Sequence, residues 1–162
     1  MRGRVERGAA VAALALGLIV TTGAAAAAPV GVIRATDGTR ECVAALADGA
    51  IFHYRYIQSM YERPVVEDLV RSGDRIGVLR IHSPELRAVE YYHWDTPIRK
   101  DGETYVQEAP PYQTDKLTIR VSPPYAQRID GAGWSCDLQA LFPDEIVIVG
   151  PETRAAALTM IR

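Results

Sequence analysis

Short stretches of alternating apolar and polar residues, separated by turn signals, run along the chain from residue 29 onward. The segment Leu117–Val121 alternates most clearly, with Leu, Ile and Val on one side and Thr and Arg on the other. In Ile51–Ile57 the same period places three aromatic residues on one face and His53 and Arg55 on the opposite face. A period of two is that of a half-buried β-strand, so these segments predict strands.

Nine such segments can be recognised, and helical spacing persists only briefly, at Arg40–Leu46 and Cys136–Leu141. The pattern predicts an all-β domain, a small sandwich or barrel of about eight to nine short strands. Thr96–Thr114 has no clear period and is predicted to be an irregular insertion, and Gly150-Pro151 is predicted to break the chain between the last two strands. The predicted strands are Cys42–Leu46, Ile51–Ile57, Pro64–Arg71, Ile76–His82, Ala88–Trp94, Leu117–Val121, Trp134–Leu141, Glu145–Val149 and Ala155–Ile161.

The first 28 residues have the three-part layout of a secretory signal peptide. Three arginines precede the apolar run Ala9–Val20, and Ala24–Ala28 offers small-residue cleavage sites. The run approaches the roughly 20 residues needed to span a bilayer, but it is mostly alanine. We therefore expect cleavage, with an uncleaved membrane anchor as the alternative, and a secreted or periplasmic location in the cell envelope.

Removal of residues 1–28 leaves 134 of the 162 residues, enough for one domain, 29–162, with its own core. The leader contains three Arg and one Glu of the chain's 18 basic and 20 acidic residues, so 15 basic and 19 acidic residues remain, a net charge of −4. A mildly acidic domain is a poor candidate for binding nucleic acid or an anionic membrane surface. We expect no nucleic-acid partner and no stable membrane insertion after cleavage.

The remaining chain contains two cysteines, Cys42 and Cys136, 94 positions apart. Disulfides persist in oxidising compartments, so export favours a bridge between them, which would join the two ends of the domain. Two free buried thiols are the alternative. Two cysteines this far apart do not form a zinc site.

The densest group of polar and aromatic residues lies within Ile51–Leu69. A strand there ends in an aromatic residue, and Pro-Val-x-Glu follows a few residues later; the residues of this pattern are Tyr56, Ser59, Pro64, Val65 and Glu67. The pattern resembles an uncharacterised bacterial family of small exported proteins often encoded beside tripartite (TRAP-type) transporters of the TAXI class. Gln58 stands where that family usually has histidine. The resemblance implies a context, an envelope accessory protein near solute uptake, and no particular chemistry.

Taken from the residues alone, the same segment is two strands joined by a tight turn that the Ser59 hydroxyl could cap. Glu67 and Asp68 are adjacent on a predicted strand, so their side chains point to opposite faces and, without a bulge, cannot form the carboxylate pair of a glycosidase. We expect Glu67 to be buried and bonded to Arg55, Arg63 or the backbone of the Gln58–Tyr61 turn. A ligand-binding role is the alternative for the whole motif, which comprises Tyr56, Gln58, Ser59, Arg63, Pro64 and Glu67.

A second group of candidates is aromatic: Tyr91, Tyr92 and Trp94 lie in one predicted strand. Alternation places Tyr92 and Trp94 on one face and Tyr91 and His93 on the other. One face is expected to join the core, and the other to form a binding surface, because exposed aromatic residues mark contacts. The alternative is that both faces are covered inside a sandwich.

Other chemistries find little support in the sequence. The three histidines, His53, His82 and His93, lie in three different predicted strands without a ligand spacing, so no metal site is predicted. Ser135 lacks the Gly-x-Ser-x-Gly context of a nucleophile, and the glycines of Asp130–Gly133 lack the Lys-Ser/Thr of a phosphate loop and are interpreted as a turn.

We therefore expect a non-catalytic accessory or binding domain without a cofactor, whose partner is a transporter component or a small-molecule solute. A small secreted hydrolase and a structural cell-surface module are the alternatives. A cleft around a perturbed Glu67 would favour the enzyme, and an exposed aromatic patch without such a cleft would favour the binding domain.

Overall fold

A computed structural model describes residues 30–154 of the chain. The predicted leader and the predicted strand Ala155–Ile161 lie outside these residues. Within them the chain forms two antiparallel sheets that pack together as an all-β sandwich, with two short helices. The predicted fold class is confirmed.

The smaller sheet has four strands, and the strand nearest the N-terminus pairs with the strand nearest the C-terminus. Residues Val30 and Arg154 are partners at one end of this pair, and Thr36 and Ile148 at the other. The spatial order is β2 (Glu41–Ala45), β1 (Val30–Thr36), β12 (Ile146–Arg154) and β9 (Leu117–Arg120).

The larger sheet holds the motif from the sequence analysis at its centre. Its spatial order is β11 (Trp134–Asp137), β10 (Arg128–Gly131), β3 (Ile51–Gln58), β4 (Arg63–Ser72), β5 (Arg75–Ser83), β7 (Thr104–Glu108) and β6 (Ile98–Asp101), and β8 (Gln113–Thr114) also pairs with β5. Between β4 and β5 the register shifts at Asp68/Leu69, because Asp68 pairs with Arg80 and Leu69 with Val78. Leu79 is the extra residue of this β-bulge.

The core lies between the sheets and is built from the alternate apolar residues of both. Phe52 and Leu69 of the larger sheet and Val147 and Val149 of the smaller sheet are fully buried in one cluster. The faces of β3 are as predicted: Phe52 points inward, and His53 lies on the outer face opposite Asp68. We call the face of the larger sheet that points away from the smaller sheet its outer face.

The predicted strand Ala88–Trp94 is wrong. A short helix, α1 (Leu86–Glu90), stands in its place and packs against β4, β5 and β7, with Ala88 and Val89 fully buried. The Glu85 side chain caps this helix by accepting a hydrogen bond from the Arg87 amide, a local contact that outweighs the strand preference of the aromatic residues after it.

Three other local predictions also need correction. The insertion Thr96–Thr114 contains the β6–β7 hairpin, whose turn uses Gly102 at a φ of 58°. Asp130 and Gly131 belong to strand β10, and the turn is confined to the next two residues. Strand β12 continues through Gly150-Pro151, because its pairing with β9 ends at Val149 and a proline beyond that point can face the open side without losing a ladder bond.

The predicted segment Trp134–Leu141 divides into strand β11 and a one-turn helix, α2 (Leu138–Leu141), capped by the Asp137 carboxylate through the Ala140 amide.

A disulfide joins Cys42 to Cys136, as predicted, and neither cysteine is free. Cys42 lies in β2 and Cys136 in β11, which are edge strands of the two sheets. The bridge therefore ties the smaller sheet to the larger one.

Candidate functional site

The two groups of candidates from the sequence meet on the core side of the larger sheet. Tyr92, which follows α1, donates a hydrogen bond of 2.8 Å to Glu67 Oε1, and Tyr56 donates to the same oxygen over 3.2 Å. The two tyrosine hydroxyls also contact each other. Strands β3 and β4 place Tyr56 beside Glu67 because Tyr54 and Glu67 are partners in the ladder. The motif and the aromatic segment thus form one group, which we call the Glu67 cluster: Tyr56, Glu67 and Tyr92.

The expected partners of Glu67 were wrong. Arg55 lies on the outer face, where it binds Asp130 over 2.7 Å, and Arg63 is exposed at the start of β4. Alternation along β3 already separates Arg55 from Glu67, since Arg55 follows Tyr54 by one residue. The tyrosines supply neutral donors in place of a salt bridge.

The surroundings of Glu67 change its acidity. Burial raises the pKa of the Glu67 carboxyl above its ordinary value, and the two tyrosine hydrogen bonds offset only part of that effect. Burial and the nearby carboxylate also raise the pKa of Tyr56 and Tyr92. Tyr54, which stacks on Tyr56 with ring centroids 4.7 Å apart, has its pKa raised to about 12, mainly by burial. The tyrosines therefore remain protonated donors at neutral pH.

The other motif residues do not join this cluster. Gln58 is buried, and its Oε1 has no hydrogen-bond partner among residues 30–154. The turn after β3 is closed by the Glu62 amide, which donates to the Gln58 carbonyl over 2.8 Å, while Glu62 has a φ of 53°. Within residues 30–154 the Ser59 hydroxyl bonds no side chain or backbone group, so the predicted cap is not made. Pro64 is exposed and pairs with Ile57.

The aromatic segment after α1 keeps the predicted division into two pairs, although it is not a strand. The rings of Tyr92 and Trp94 lie 5.1 Å apart, and those of Tyr91 and His93 lie 6.3 Å apart. Tyr91 is 48% exposed, and Tyr92 is partly buried. Gln107 fixes the segment by donating to the Trp94 and Thr96 carbonyls.

The outer face carries a second polar cluster that sequence reasoning missed. Asp68 accepts hydrogen bonds from His53 Nδ1 over 2.7 Å, His82 Nε2 over 3.2 Å and Arg80 Nε over 2.6 Å. The side chain of Asp68 is only 3% exposed, whereas those of its three partners are 29–44% exposed. We call this group the Asp68 cluster.

Hydrogen bonds decide the charge of Asp68. Burial alone would raise the pKa of this carboxyl, but the bonds from Arg80, His53 and His82 together hold its pKa below the ordinary value. Asp68 can accept from both imidazoles when His53 carries its proton on Nδ1 and His82 on Nε2. The second nitrogen of each ring then remains available to a partner.

The spacing of His53 and His82 in the sequence does not predict that both contact Asp68, because this contact depends on the register of three strands. Asp68 is the ladder partner of both His53 and Arg80, and His82 lies two residues beyond Arg80 on the same face. In residues 30–154, no group of three or more His, Cys, Asp and Glu side chains has an arrangement that could hold a metal ion. His93 lies apart, beside Tyr91.

No family model, curated protein or solved structure matches the chain. The geometry of the two clusters therefore carries the functional argument. In the described part of the chain, no helix has the length and apolar character needed to cross a membrane.

The two clusters differ in what they can do. Both hydroxyls of the Glu67 cluster are directed at the one carboxyl group, and two cavities of about 570 and 360 Å³ lie elsewhere, so that Glu67 lines neither. The Asp68 cluster instead presents a partly exposed guanidinium and two partly exposed imidazoles. Among residues 30–154, no Ser, Thr or Cys side chain bonds His53 or His82.

Proposed function

We propose that this protein is an exported, non-catalytic binding domain of the cell envelope, and that it recognises an anionic surface of a partner through the outer face of its larger sheet. The observation that carries the proposal is the Asp68 cluster. Its buried carboxylate positions two imidazoles and a guanidinium, all partly exposed, on one face.

The guanidinium groups of this face support an anionic partner. Around Asp68, strands β3 and β10 add Arg55 and Arg128, both bonded to Asp130, at 2.7 and 3.5 Å. Three arginines and two histidines thus surround Asp68 and Asp130, while Glu108 is the ladder partner of Arg80 and Asp137 that of Arg128. The partly exposed guanidinium groups can donate to carboxylates of an acidic partner and set its orientation.

The resemblance of Ile51–Leu69 to proteins encoded beside TAXI-class transporters supports a component of TRAP-type solute uptake as the partner. The disulfide is compatible with the oxidising compartment that export would provide.

The arrangement of Glu67 favours binding over hydrolysis. A carboxyl group with a raised pKa is a common general acid, but it must reach a substrate. Glu67 is bonded to two tyrosine hydroxyls and lines neither cavity, so a structural role accounts for its raised pKa.

Photo-crosslinking in the cells that produce the protein tests the proposal. A photoreactive amino acid replaces Arg128, whose side chain is 54% exposed on the outer face, and a control replaces Thr39 in the exposed β1–β2 turn. We expect a discrete adduct from position 128 and not from position 39, with a transporter component identified by mass spectrometry. An adduct with another envelope protein would remove the transporter assignment and keep the binding face. Equal labelling from both positions would refute the face itself.

A further inference from the structure

Arg71, near the end of β4, occupies a position where a cation is unexpected. It follows the core residue Leu69 by two positions, and its ladder partner Ile76 is fully buried. Alternation therefore directs the Arg71 side chain to the core side of the larger sheet, and the residue is only 8% exposed. Arginine is almost never this buried unless it is paired.

Among residues 30–154, the guanidinium of Arg71 has no charged partner. Its Nε is buried without a hydrogen-bond partner, and no acidic side chain in residues 30–154 forms an ion pair with it. The backbone of Arg71 is fixed, because its amide donates to the Ala50 carbonyl and its carbonyl accepts from the Gly49 amide. An unpaired buried charge is costly, so this site is incomplete without an anion.

A cavity of about 570 Å³ opens beside Arg71, where the two sheets meet. Gly31 of β1 makes room for the guanidinium: a Cβ there would lie 2.4 Å from Nη1 and 2.5 Å from Cζ of Arg71. The Leu46 amide holds this part of the smaller sheet by donating to the Gly31 carbonyl over 2.8 Å. The cavity is lined by Gly31, Ala45, Leu46, Ala47, Asp48, Arg71 and Thr153.

We propose that this cavity binds the carboxylate of a small organic monoanion, with Arg71 as the residue that recognises it. The planar guanidinium matches a carboxylate through two parallel hydrogen bonds. Ala45, Leu46 and Ala47 provide an apolar wall for a short aliphatic body. Asp48 shares the lining, and its negative charge disfavours a dianion such as phosphate.

The sequence outside the described residues offers few acidic side chains that could pair with Arg71 in place of a ligand. Outside residues 30–154 the sequence contains one, Glu6, which the predicted leader cleavage would remove. The Arg71 site is on the opposite face of β4 from Asp68, so the test of this site is independent of the test of the proposed partner surface.

Nuclear magnetic resonance of the oxidised protein tests the proposal, because the Nε–H group of an arginine gives its own signal. Butyrate is titrated into the protein, with phosphate as the dianion and butylammonium as the cation. We expect the Arg71 Nε–H signal to shift in a saturable way with butyrate and to remain unchanged with the other two. Arg71→Met should weaken binding by at least about tenfold, the loss of one charge-assisted contact. Arg71→Lys keeps the positive charge but loses the two parallel donors, so its affinity for butyrate should lie between those of the natural protein and Arg71→Met.

Arg75→Met is the matched control. Arg75 is exposed at the start of β5, so its substitution should leave butyrate binding unchanged. The backbone spectrum of each variant verifies that it is folded. A signal that does not respond to butyrate, or an equal response to phosphate, would refute a monocarboxylate site.

Discussion

Tyr92 donates a hydrogen bond of 2.8 Å to Glu67, 25 residues earlier in the chain. This bond connects the segment after α1 to the centre of the larger sheet, and Tyr56 reinforces it from the neighbouring strand. Because a carboxylate without donors is costly in the interior, and so are donors without an acceptor, the three side chains depend on each other.

Glu67→Ala should therefore destabilise the fold. Truncation leaves two partly buried hydroxyls without their acceptor, and we expect a loss of about 1–3 kcal/mol in the free energy of unfolding. Glu67→Gln should cost less, because the amide oxygen still accepts from tyrosine. Urea unfolding of the three proteins measures both effects. An unchanged midpoint for Glu67→Ala would contradict a structural role for this residue.

The raised pKa of Glu67 predicts the direction of a pH effect. Folding raises this pKa above its ordinary value of 4.5, so the folded state binds more protons than the unfolded state. The contribution of Glu67 to stability is therefore full below pH 4.5 and is lost as the pH rises through the folded-state pKa. Relative to Glu67→Gln, the natural protein should lose stability over that range. Urea midpoints measured at several pH values test this, and a constant difference between the proteins would contradict it.

Asp68 should show the opposite pH dependence. Its folded-state pKa is lowered below the ordinary value of 3.8, so its contribution is present above that pH and is lost as the pH falls through the folded-state pKa. The substitution Asp68→Asn places either an amide donor or an uncharged oxygen against the three donors. It should lower the free energy of unfolding by about 1–3 kcal/mol at neutral pH. This loss should become smaller in acid, where the natural protein also loses the charge of Asp68.

Asp101→Asn is the control for Asp68. Asp101 bonds Arg99 at 3.2 Å, but its side chain is 70% exposed, so the substitution should change the unfolding midpoint little at any pH. Equal effects of the two substitutions would mean that the Asp68 cluster is no more than an ordinary surface ion pair.

The disulfide should contribute strongly to stability. It closes a loop with a sequence separation of 94, for which the chain-entropy model gives an upper figure of about 4–5 kcal/mol. We expect no reactive thiol in the denatured, unreduced protein and a large drop in the urea midpoint after reduction or in the Cys42→Ala/Cys136→Ala variant. Two titratable thiols before reduction would refute the bridge in the isolated protein.

Strand positions and faces could be predicted from the sequence because they depend on a local period. The predicted Leu117–Val121 and Ile51–Ile57 differ by one residue from β9 and β3. The helix at Leu86–Glu90 could not be predicted in this way, since it is too short to show a helical period. Its evidence is one capping bond from Glu85 and the burial of Ala88, and both depend on the surrounding structure.

The candidate sites were predictable only in part, for the same reason. Alternation alone places Glu67 and Asp68 on opposite faces. The partners of each carboxylate come from other elements: Tyr92 is brought to Glu67 by the packing of α1, and His82 is brought to Asp68 by a register that includes a bulge at Leu79. Neither contact follows from the local pattern of the sequence.

The pairing of β1 with β12 also determines how the domain would respond to a pulling force. Val30 and Arg154 are ladder partners, so tension applied at these two residues would open the strand pair one hydrogen bond at a time, as a zipper opens, instead of loading all the bonds together. The strand pair can open completely, but the Cys42–Cys136 bridge would limit the extension that follows, because only residues 30–41 and 137–154 lie outside the covalent loop. The central strands that carry Asp68, Glu67 and Arg71 are inside it, and would bear none of the load that reaches the bridge.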